Sequence, residues 1–173
     1  MAKKGELSLF ETQKKTKPTP EELCDRFLTD DELHDGMTRL LALCKNLRMS
    51  PGWYATNSFK CVCKGKPVLS FRIGEGRRAV ENRLEIMVYT AEREKINEFL
   101  SRLPEDAKID CIKSLKHCIR CAGCAPGWNV DILGTVHNLC FKGHNLVFLN
   151  PTAEQFAISE KFILFRREYI KTL

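Results

Sequence analysis

Apolar residues recur along this chain in two rhythms, and each change of rhythm marks a new element. From Asp30 to Arg48, Leu33, Met37, Leu40, Leu41, Cys44 and Leu47 follow one another at the three- and four-residue spacing of a helix buried along one stripe. Pro51 and Gly52 then stop the pattern. In "SFKCVCKGKPVLSFRI" the period falls to two. Phe59, Cys61 and Cys63 share one face, Lys60, Val62 and Lys64 the other, and Leu69, Phe71 and Ile73 line the return strand. Gly65 supplies the positive φ that a tight hairpin turn requires. "LEIMVY" gives a further strand from Leu84, and "EREKINEFLSRL" a helix that ends at Pro104.

Helix starts are written in capping chemistry. Thr19, Pro20 and Glu22 form a capping box with proline at the first helical position. Thr29 is expected to cap the next helix, with Glu32 reaching back and Leu28 stapled onto Leu33. Asp30, Asp31 and Glu32 then sit at the positive end of a helix dipole, a better account of them than a catalytic carboxylate pair. Thr152 with Gln155 opens the last helix, whose Phe156, Ile158, Phe162, Phe165 and Tyr169 run at helical spacing. That stripe predicts core packing, with a homodimer or partner contact through the C-terminal helix as the alternative.

Residues 1–18 lack periodicity and are expected to form a flexible basic arm, leaving 19–173 as one α+β domain with halves 19–104 and 105–173. The architecture expected is a mainly antiparallel sheet of about five strands with helices packed on one side. Two small subdomains sharing a sheet are the alternative. The halves also echo each other. "SPGW", a strand, "CKGK", a strand and a helix are matched by "APGW", a strand, "FKGH", a strand and a helix, the signature of a diverged internal repeat.

Composition narrows the function classes. The chain of 173 residues has an apolar fraction of 43%, enough for a core, and no apolar run of membrane-spanning length. Its start carries no apolar signal region, so a reducing cytoplasm is expected. The net charge of +6 invites a nucleic-acid reading, yet five lysines and two glutamates in the first 20 residues supply half of it. That distribution fits a solvated tail better than a binding surface.

In a reducing compartment nine cysteines call for a chemical account. Cys118, Cys121 and Cys124 form C-x2-C-x2-C, and Cys140 lies on the strand that follows. A two-residue gap lets thiolates of one turn converge on a tetrahedral ion, so a structural zinc site is expected, with His137 or His144 as alternative fourth ligand. The same thiolates would hold an iron–sulfur cluster, although the ferredoxin run needs a fourth cysteine where this chain reaches Pro126. Buried free thiols are the third reading, with Cys121 and Cys124 as a redox pair inside it. Cys24, Cys44, Cys61, Cys63 and Cys111 read as core residues.

Two weaker candidates remain. "GEGRRAVENR" with Arg72, Arg77, Arg78 and Arg83 offers an anion site, but lacks the glycine pattern and following helix of a phosphate loop. Trp53, Tyr54 and Trp128 are candidate walls of a ligand pocket. Nucleophile elbows and metalloprotease helices are absent from the sequence. The residues thus point to a small, non-enzymatic domain that binds a small molecule or a protein and carries a zinc site. A redox or iron–sulfur protein and a nucleic-acid-binding module are the alternatives.

Overall fold

The structure, a computed structural model, describes residues 9–74, 81–116, 127–140 and 145–173, with Trp128 described by its backbone alone. Three helices come first: α1 (Leu9–Thr16), α2 (Pro20–Phe27) and α3 (Asp31–Asn46). Strands β1 (Gly52–Ala55), β2 (Ser58–Cys63), β3 (Lys66–Ile73) and β4 (Leu84–Val88) follow. A 3-10 turn at Arg93–Lys95 leads into α4 (Ile96–Ser101), and Pro104 separates α4 from α5 (Glu105–Ser114). Then come β5 (Trp128–Ile132), β6 (Thr135–Leu139), β7 (Leu146–Leu149) and α6 (Ala153–Thr172).

This is an α+β fold. One sheet runs β1-β2-β3-β4-β7, and β5 and β6 form a separate hairpin. All the pairings are antiparallel. The register shows why one face of the sheet is core. Phe59, Phe71, Ile86 and Phe148 make one row across four strands, and Cys61, Leu69, Val88 and Leu146 make the next. All eight are buried. Period-two alternation sends Lys60, Ser70, Met87 and Val147 to the opposite face. On the core side α2 and α6 lie against β3, while α3 packs on α6. Lys161 of α6 ties α5 alongside, its ammonium 2.6 Å from Asp110 and 3.0 Å from Asp106.

Tight turns account for the larger strand count, seven among the described residues. Asn57 (φ 54°) closes the turn from β1 to β2, and Leu133 (φ 55°) with Gly134 (φ 75°) turns β5 into β6. Each divides what reads in sequence as one strand. Lys64 (φ 46°) and Gly65 (φ 76°) close the expected β2–β3 hairpin. Among the described strands, β1, β2 and β3 follow one another in the first half and β5, β6 and β7 in the second, but the partners differ. β2 pairs with β3, whereas β7 pairs with β4.

Of the three capping boxes expected, two form, at Thr19 with Glu22 and at Thr152 with Gln155. At α3 the cap moves by one residue: Asp30, not Thr29, accepts from the Leu33 amide at 3.0 Å. Thr29 instead donates its amide to Asn82 Oδ1 at 2.7 Å, and Glu32 accepts from the Ala153 amide at 2.7 Å, capping α6 rather than its own helix. Part of the expected flexible arm is helical too, since Leu9–Thr16 forms α1 with Gln13 buried.

Candidate metal centre

Cys140 directly follows the β5–β6 hairpin and is buried at 8% exposure. Two described contacts place it beside the residues that flank the cysteine-rich segment. Its backbone N–H donates to the Lys116 carbonyl at 2.8 Å, directly before position 117. Its neighbour Leu139 pairs with Trp128, directly after the Pro-Gly that closes the segment. Antiparallel neighbours lie about 5 Å apart, so Lys116 and Trp128, the described residues on either side of positions 117–126, stand beside the residue 139–140 backbone. Cys118, Cys121 and Cys124 fall within that segment and His144 within 141–144, outside the described residues. His137, opposite Val130 in the hairpin, is half-buried. Among the described residues, no group of three His, Cys, Asp or Glu is placed to hold a metal ion.

The other cysteines sit where core residues sit. Cys24, Cys44, Cys61 and Cys111 are buried, and Cys63 is half-buried against the core, beyond the register shift at Cys61–Val62. Burial, reinforced by Glu21 and Asp25, pushes the Cys24 thiol up to about 12. Burial and Asp110 do the same to Cys111, again to about 12. A hydrogen bond to Cys44, with burial, also pushes Cys61 up. Such thiols stay protonated at neutral pH and are poor nucleophiles there.

The remaining candidates separate. Arg72 lies on the outer sheet face and donates from Nε to Ser58 Oγ at 3.1 Å. Arg83 stands at the foot of the β3–β4 loop, where its carbonyl accepts from the Gly74 amide at 2.6 Å. Arg77 and Arg78 lie outside the described residues. Trp53 and Tyr54 do not form one wall, because adjacent strand residues face opposite ways. Trp53 meets the Phe10 ring at 5.7 Å, while Tyr54 is exposed beneath the Lys60 ammonium at 4.8 Å. The C-terminal stripe is core: Phe156, Ile158, Phe162 and Tyr169 are buried.

Sequence reasoning misses the polar residues that organise this scaffold. Gln13 reaches the β1–β2 turn, and Arg166 is buried at 2% exposure within α6. Neither belongs to a motif, and each acts through a partner more than forty positions away. Among the described residues, no helix is long and apolar enough to cross a membrane. Compared with protein-family models, curated proteins and solved structures, the chain finds no match.

Proposed function

We propose that the protein is a non-enzymatic domain that binds a small molecule or another protein, and whose second half is fastened by a structural zinc ion on Cys118, Cys121, Cys124 and Cys140. One observation carries this reading. The Lys116–Cys140 hydrogen bond and the Trp128–Leu139 pair hold the residues that flank the three-cysteine segment beside the fourth cysteine, which supports a shared centre. Four thiolates drawn from a turn and an adjacent strand suit the closed tetrahedral sphere of structural zinc, in which the ion holds chain segments together.

The test is metal analysis of protein purified without a histidine tag, beside Cys140→Ser and Cys121→Ser. About one zinc ion per chain in the parent and clear loss in both variants are expected. Equal metal content in all three would remove the site. A brown, iron-containing parent would replace zinc with an iron–sulfur cluster on the same thiolates.

A further inference from the structure

The β1–β2 corner holds a carboxamide in three hydrogen bonds. Gln13 Oε1 accepts from the Asn57 backbone N–H at 2.8 Å and from the Trp53 indole N–H at 3.4 Å. Gln13 Nε2 donates to Asn57 Oδ1 at 2.5 Å. With α1 in place Asn57 is fully buried, and its carbonyl ties the corner to β3 by accepting from the Ile73 amide at 3.0 Å. It also holds an unused group, since Asn57 Nδ2 is buried without a hydrogen-bond partner.

The guest, by contrast, is loosely built. Within α1, Gln13 is buried and every other residue is exposed. With one buried side chain among its described residues, α1 depends on what it docks against. Two of its holds are the Gln13 carboxamide and the Phe10 ring, which rests on Trp53 while remaining 41% exposed. The exit from α1 runs through Lys17 (φ 46°) and Pro18 to Pro20, where α2 begins.

We infer that the β1–β2 corner is a receptor for a glutamine carboxamide, and that α1 is its built-in, displaceable occupant. The external occupant that fits is α1 of a second copy, which presents the same Gln13 with Phe10 three positions earlier. A short tether holds α1 at an effective concentration in the millimolar range, so an external segment competes only when the internal one is weakened.

The test uses the full chain, labelled with nitrogen-15, as parent and as Gln13→Ala, with synthetic peptides spanning residues 9–18. Loss of the carboxamide is expected to speed exchange of the Asn57 amide by about tenfold and to move the Trp53 indole signal. The indole signal is identified with Trp53→Phe. The peptide with Gln at position 13 is expected to restore both signals in Gln13→Ala and to leave the parent unchanged, and peptides with Ala or Glu there are expected to fail. Unchanged Asn57 exchange and indole position in Gln13→Ala would overturn the receptor. Equal restoration by the Ala peptide would overturn recognition of the side chain, and equal restoration by the Glu peptide would overturn its carboxamide specificity. The metal content of the chain is independent of all these outcomes.

Discussion

Arg166 places a guanidinium in the core, and its surroundings decide what that charge does. It donates to the Pro67 carbonyl and to Glu92, both at 3.4 Å, and Glu92 also receives Lys66 at 3.3 Å. Partial burial alone would raise the Glu92 carboxyl. Its backbone hydrogen bond and the two cations outweigh that, and hold it below the usual carboxylate range. A lowered folded value means stability that is complete above the unfolded value, about pH 4.3, and lost as pH falls through the folded one. The Glu92 side chain is 36% exposed, so solvent screens much of the attraction. Glu92→Gln is therefore expected to cost about 1 kcal/mol at neutral pH in urea unfolding, and to flatten the acid side of the stability profile.

The buried thiols carry the opposite sign. Cys24 and Cys111, raised to about 12, favour the folded state below the unfolded thiol value and lose that advantage as pH rises toward theirs. At pH 8 both are expected to resist iodoacetamide in the native chain and to react on unfolding, a difference that peptide mass mapping reads directly. The thiols are legible as core from apolar spacing. Arg166 is not, because spacing within a helix reports a face and not the charge waiting opposite it.

Where α3 crosses α6, Gly36 lies directly against Phe156. A Cβ built on Gly36 would overlap the Phe156 ring, itself fully buried and unable to move aside. In an exposed helix, alanine for glycine stabilises by about 1 kcal/mol. Here overpacking, typically about 1–3 kcal/mol, sets the sign. Gly36→Ala is expected to be net destabilising by about 1–2 kcal/mol, seen as a lower urea midpoint with an unchanged slope. Helices α2 and α6 and the 58–73 hairpin are readable because Thr19, Thr152 and Gly65 carry local chemistry, whereas α1 lies in the expected arm and is not. The turns at Asn57 and Leu133 are not. Leucine seldom adopts a left-handed conformation, and here the Gly134 amide is held by Asp131 Oδ1 at 3.0 Å. Thr29 loses its expected cap to Asn82, which lies 53 positions away and accepts from Thr29 N, Thr29 Oγ and Asp30 N.

For the whole molecule, the α+β class follows from the order of periods, since runs of strands flanked by helices leave few ways to bury both. The pairing of β7 with β4 does not follow, because nothing in "NLVFL" names its partner. If zinc fastens the second half, chelation should act on the fold as a whole through the segment that leads into β5. A strong chelator is expected to lower the thermal midpoint by about 10 °C, for a loss of a few kcal/mol, and added zinc to restore it. An unaltered midpoint after complete metal removal would separate the ion from stability.

The position of β7 has a further consequence. The strand that completes the five-stranded sheet comes from residues 146–149, some sixty positions after its neighbour β4 at Leu84–Val88. A nascent chain that has emerged only as far as α4 carries β4 with its outer edge bare, and bare edges recruit strands from other molecules. Synthesis of this protein therefore includes an interval of aggregation risk that closes only when β7 has left the ribosome.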